Sequence, residues 1–252
     1  MNSALTSAIV LSSLVVMVLI GRSVGRHLPD DHLSGDSRDT VKLAMGLVAT
    51  MTALLLGLLV SSAKGTYDTQ RTEIIQMAAK VAFLDRVLTA YGPEAVEARA
   101  RFRVAVTDAV HRMWPDEAGA RAQLAPNAPE GDSVYAAIEA LSPRDDLHGG
   151  LKTQALTLSV DLAELRVLLL AQSMSSVSKP MLIAVVSWLA ILFLSFSLIA
   201  PSNATTGVAL VAAAFSVTVA VFLILELDQP MGGMIQVSSE PMRNALQHQL
   251  AK

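Results

Sequence analysis

The sequence has no cysteine. That excludes disulfides, thiol catalysis, iron–sulfur clusters and cysteine-ligated zinc, and it leaves the redox compartment open. Aromatic residues are scarce at 4%, the net charge is −3, and no basic cluster is interleaved with aromatics. Nothing therefore marks a nucleic-acid partner. Charged residues make up 16% of the chain, below the roughly 25% of a soluble domain. Catalytic signatures are missing too: there is no HExxH, no GxSxG, no Walker loop and no Rossmann glycine pattern. Of the five histidines, only His27 and His32 lie near each other, in a loop with Asp30, Asp31 and Asp36. A charged, solvated loop accounts for them as well as a metal site does, and the same holds for Asp145-Asp146-Leu147-His148. The expectation is a non-enzyme without cofactor or resident metal.

What is present is apolar sequence. Hydrophobic residues reach 52% and the mean hydropathy is +0.49, the composition of a membrane protein. Four runs are long enough to approach the ~20 apolar residues of a membrane span. They cover about 4–20, 43–63, 181–200 and 207–225, and none contains a carboxylate or a histidine. The first has no Lys or Arg in Met1–Ser3 and no clear cleavage site before Gly21, so it reads as a retained span rather than a signal peptide. Residues 21–39 read as a polar hairpin loop, with Pro29 and Gly35 as breakers.

Inside the second run the small and weakly polar residues are not scattered. Gly46, Thr50, Ala53, Gly57 and Ser61 recur at steps of four, three, four and four, one narrow stripe on a helix. Small residues at this spacing let backbones approach closely, because lipid supplies no hydrophobic drive for helix association. The stripe reads either as a helix-packing seam or as a pore-facing line. If the helix passes Gly65 without a break, Lys64, Asp68 and Arg71 extend the same stripe as a charged mouth.

The segment 64–180 is polar and helix-patterned almost throughout. Ile74, Ile75, Ala78, Val81, Ala82, Leu84 and Leu88 form a helical stripe that ends at Gly92. Pro93–Trp114 is a second helix, residues 115–132 a loop, and Ser133–Leu141 a short helix. An amphipathic stretch then runs to Ser178 with a break at Gly149-Gly150. Beyond the fourth span, Glu226 and Asp228 meet the interface, and the tail 238–250 reads as a short terminal helix. In a symmetric oligomer such carboxylates form rings that attract cations or bind Ca²⁺; interface anchoring or a salt bridge to Lys64 or Arg243 explains them equally.

The fold expected is thus an all-α membrane protein. It comprises a transmembrane hairpin (1–63), a helical soluble domain (64–180), a second transmembrane hairpin (181–225) and an interfacial loop with C-terminal helix (226–252). Four spans put both termini and the domain on one side, which carries 15 of the 19 basic residues. That side is expected in the cytoplasm of a cell with the chain in its inner membrane, although the tally close to the spans is nearer to even.

Several stretches carry a family resemblance: Lys42–Gln70, Leu84–Ala95, Trp188–Thr205 with its PSNAT turn, and Phe222–Leu246 with ELDQPMGG. Together they resemble the bestrophin-like family of bacterial membrane proteins of unknown function. The resemblance implies four spans with a helical insertion between the second and third. Through bestrophins proper, which are pentameric anion channels gated by Ca²⁺, it implies an oligomeric ion channel. This chain departs from the aromatic-rich constriction of such a pore, since no Phe, Tyr or Trp lies between residues 40 and 66. The partners expected are the lipid bilayer, further copies of the chain and inorganic ions. The alternative is a non-conducting scaffold or sensor whose helical domain binds a cytoplasmic partner.

Overall fold

The computed structural model describes residues 2–27, 35–115, 129–174, 178–201, 203–229, 231–232 and 234–250. Among these residues all regular structure is helical. In chain order the helices are α1 (Ser3–Gly25), α2 (Gly35–Tyr91), a 3-10 turn (Pro93–Ala95), α3 (Val96–Met113), α4 (Pro129–Glu139), α5 (Asp146–Met174), α6 (Lys179–Ile199), α7 (Ala204–Leu227) and α8 (Glu240–Leu250). Four of them, α1, α2, α6 and α7, are long and apolar enough to cross a membrane. The chain divides into two compact units, Met1–Thr66 with Ser176–Asp228, and Tyr67–Ser175 with Gln229–Lys252.

The first unit packs by close approach of backbones. A Cβ on Gly21 would stand 2.5 Å from the Leu194 carbonyl oxygen, and one on Gly25 would stand 2.9 Å from that of Leu198. Only glycine fits at either position, so α1 lies directly against α6. Ser197 Oγ donates to the Val18 carbonyl at 2.5 Å along the same seam. Leu14, Val185, Ala214, Val221 and Ile224 fill the interior at 0% exposure. Because lipid is as apolar as leucine, contact between helices here rests on shape and hydrogen bonds rather than on removal of surface from water.

The helices run further than the hydropathy runs. The polar stretch from residue 21 does not open a loop, because Gly21 and Gly25 continue α1 along its seam with α6. Of the loop expected at 21–39, residues up to Gly25 belong to α1 and those from Gly35 onward to α2. The acidic and histidine positions 30–32 lie outside the described residues, as does the Asp36 side chain. Gly65 does not interrupt α2. At the far turn, Asn203 caps α7 by accepting from Thr206 N–H at 2.9 Å, so that helix begins before Gly207. Arg22 Nη2 donates to the Asn203 carbonyl at 2.7 Å. The missing Cβ of Gly207 leaves room for that guanidinium.

The second unit has an aqueous-type core. Ile74, Leu84 and Leu88 of α2, Ile138 of α4, Leu169 of α5 and Met242 of α8 are at most 1% exposed. Burial of each such side chain contributes roughly 1.5–3 kcal/mol. Gly92, at φ 105°, takes the left-handed conformation that turns the chain out of α2 into the proline-led 3-10 turn. The expected break at Gly149-Gly150 is absent. Asp145 Oδ1 accepts from His148 N–H at 2.9 Å, so α5 starts at Asp146 and both glycines fall at its beginning. The short helix expected at Ser133–Leu141 lies earlier, at Pro129–Glu139. Lys152 Nζ donates to the carbonyls of Glu139 at 2.6 Å and Leu141 at 2.8 Å, closing the end of α4.

Candidate functional site

Gly46, Thr50, Ala53, Gly57 and Ser61 all lie on the exposed side of α2. A Cβ on Gly46 or Gly57 would meet nothing within 4 Å. The face that α2 turns inward is Met45, Thr52, Leu59 and Ala63, each at most 5% exposed. The stripe is therefore not a packing seam within the chain. It looks away from the bundle, on the least covered of the four apolar helices: 17% of its apolar window is buried, against 28–33% for the others. Thr50 Oγ1 donates to the Gly46 carbonyl at 2.8 Å, so its hydroxyl is satisfied within the helix.

The charged residues expected at a mouth have different surroundings. Lys64 is exposed in the first unit, and Asp68 and Arg71 are exposed in the second. Glu226 is 2% exposed, inside the first unit, where its carboxylate accepts from Ser3 Oγ of α1. Asp228 follows as the C-terminal cap of α7, its N–H donating to the Ile224 carbonyl at 3.1 Å.

Several residues escaped the sequence reading. Ser3 and Ser7 sit one turn apart on α1 and face inward. Ser7 Oγ is buried with no hydrogen-bond partner among the described residues. The four-residue spacing of Gly21 and Gly25 was a readable small-residue signal. In the second unit, Arg99 donates to both carboxylate oxygens of Asp85 through one edge of its guanidinium, Nε–Oδ1 at 2.7 Å and Nη2–Oδ2 at 2.9 Å. The hydrogen bond to Asp85 raises the Arg99 pKa above its ordinary value. At the start of α5 the His148 backbone N–H, seconded by its ring nitrogen at 2.5 Å, holds the Asp145 carboxyl below the usual range. Among the described residues no group of three or more His, Asp or Glu is placed to hold a metal ion.

An apolar helical bundle joined to a polar helical unit, with an uncovered small-residue stripe on the long α2, is the framework to set beside known proteins. The bestrophin-like domain model matches residues 10–242. The chain belongs to the bestrophin-like family. Three crystal structures of single-residue variants of a bacterial bestrophin homolog from Klebsiella pneumoniae share its fold. At 16% identity their TM-scores are 0.66, 0.68 and 0.69, over 96–99% of this chain and 96–97% of theirs. No curated protein matches the sequence. This bestrophin-like chain is accordingly an all-α membrane protein.

Proposed function

We propose that this bestrophin-like chain assembles from several copies into an ion-permeable pore. In that assembly it crosses the inner membrane four times, with the helical segment between the second and third spans in the cytoplasm. The stripe of Gly46, Thr50, Ala53, Gly57 and Ser61 faces the axis. Lys64, Asp68 and Arg71 form the mouth, with Glu226 and Asp228 nearby. One observation carries the reading: the chain's own bundle leaves this stripe uncovered. A line of glycine, alanine and hydroxyl side chains leaves space for water and places no ionised group in the membrane interior. With no charge and no aromatic on the stripe, discrimination between ions falls to the charged residues beyond Ser61.

The test is ion flux through purified protein in liposomes, together with its mass in detergent. Gly57→Leu should abolish flux or assembly, whereas Leu58→Ala on the neighbouring exposed flank should change either less than twofold. Equal, small effects of both substitutions would overturn the assignment. A second reading, a scaffold with a docking face for another protein, draws on Val96 and Val104 of α3, which are 63% and 58% exposed in the polar unit. Absence of flux under varied pH, Ca²⁺ and voltage would favour it.

A further inference from the structure

Among the polar contacts of the second unit, one leaves two buried oxygens without a donor. Glu73 of α2 and Gln172 of α5 meet where Gln172 Nε2 donates to Glu73 Oε1 at 2.6 Å. The other oxygens of the same two groups, Glu73 Oε2 and Gln172 Oε1, are buried and accept no hydrogen bond among the described residues. Both residues are only partly buried as wholes, so the shielding of these atoms places them at the contact between the helices. A carboxyl and an amide are each planar and forked. Joined along one edge, they bring their remaining oxygens together at the other.

An ionised carboxylate cannot complete that arrangement. It only accepts, whereas the amide brings one donor face and one acceptor face. Exchanging the amide nitrogen and oxygen moves the mismatch to the other carboxylate oxygen and does not remove it. A buried acceptor left without a donor costs the desolvation of that group. One proton on Glu73 answers both oxygens at once. Glu73 Oε2–H then donates to Gln172 Oε1 while Gln172 Nε2–H donates to Glu73 Oε1, a closed ring of two hydrogen bonds.

No fixed charge takes the proton's place. Lys80, two turns further along the same face of α2, is held by Asp161 of α5 at 2.5 Å. Tyr67, Asp68 and Arg71 lie about 120°, 140° and 160° around α2 from Glu73. Glu164 and Arg166 lie about 80° and 120° around α5 from Gln172. Neither these nor His111 and Arg112 of α3 nor Arg243 of α8 bonds to Glu73 among the described residues.

We propose that Glu73 and Gln172 form a proton-binding site, closed when Glu73 carries its proton and open when it does not. Acid thus ties α2 to α5 more firmly. As pH rises the proton leaves, one hydrogen bond of the ring is lost, and two oxygens face each other unrelieved. Both helices contribute these residues to the polar unit, so the site stands whether or not the chain conducts.

Glu73→Gln supplies the test, because an amide in place of the acid makes the same two hydrogen bonds at every pH. The full chain in detergent is compared with Glu73→Gln and with Asp161→Asn, which removes the other carboxylate of this interface. Infrared difference spectra of the parent from about pH 4 to about pH 8 should contain a protonated-carboxyl carbonyl band that is lost as pH rises. The band should be missing from Glu73→Gln and kept in Asp161→Asn. The melting temperature of Glu73→Gln should match the parent within about 1 °C in acid and exceed it by about 3 °C at the alkaline end. No acid band that depends on Glu73, a band that Asp161→Asn removes equally, or a Glu73→Gln melting profile parallel to the parent's overturns the site. If Glu73→Gln does not fold, Gln172→Leu replaces it. That variant keeps Glu73 and removes its acceptor, so the band should shift or vanish, and an unchanged band overturns the site.

Discussion

At the scale of single residues, the polar unit depends on a carboxylate that water scarcely reaches. Asp85 is 8% exposed and accepts from both Nε and Nη2 of the Arg99 guanidinium. Removal of the carboxylate leaves the largely buried Arg99 charge without its partner. Asp85→Asn should therefore cost about 3 kcal/mol, the low end for breaking a buried pair because part of Arg99 still meets solvent. A denaturation midpoint unchanged from the parent would contradict this. Asp145 predicts a pH dependence. Its pKa is lower in the folded state than in the unfolded chain, so its contribution is complete above the ordinary aspartate value of about 3.9 and disappears as pH falls through the lower, folded value. Asp145→Asn should lower the melting temperature slightly above about pH 4 and match the parent in stronger acid. A difference that persists undiminished at pH 2 would contradict the assignment. The Asp85–Arg99 contact was not legible in the sequence. Asp85 and Arg99 are fourteen positions apart across the Gly92 turn, and nothing in their local pattern says that they meet.

Among the elements, glycine has two opposite uses. Gly21 and Gly25 let α1 touch α6, whereas a Cβ on Gly46 or Gly57 would meet nothing within 4 Å among the described residues. Gly21→Leu should therefore disrupt the single chain itself, lowering its yield and melting temperature in detergent. Gly57→Leu should leave the unassembled chain as stable as the parent and act only on assembly or flux. If Gly57→Leu misfolds the chain as badly as Gly21→Leu does, the stripe has a role in the chain's own packing that the geometry denies. Helix existence and type were readable from periodicity, but the passage of α2 through Gly65 was not, because a glycine inside a helical pattern reads equally as a break. Helix ends were less readable. Gly149 and Gly150 looked like a break because glycine weakens a helix interior, but the Asp145 cap starts α5 just ahead of them, at the end where interior rules do not apply. The charges of Arg22 and Arg26 drew attention to a loop at 21–39, although the glycines beside them carry the helix onward.

For the whole molecule, both units are assembled from separated pieces of chain, and the polar one takes its last piece from beyond the final apolar helix. Trp114 Nε1–H donates to the Val237 carbonyl at 2.8 Å, and Met242 and Ala245 complete the core at 1% and 5% exposure. A chain ending at Asp228 keeps all four apolar helices. It should still reach the membrane fraction, while its segment 67–175 becomes sensitive to limited proteolysis. Resistance of that segment equal to the parent's would refute the dependence. The arrangement also imposes an order in time. A ribosome delivers Trp114 long before it delivers Val237, and α6 and α7 must be synthesised in between. The polar unit thus waits, unfinished, until the stretch beyond α7 emerges, and its completion reports that synthesis has already passed α1, α2, α6 and α7.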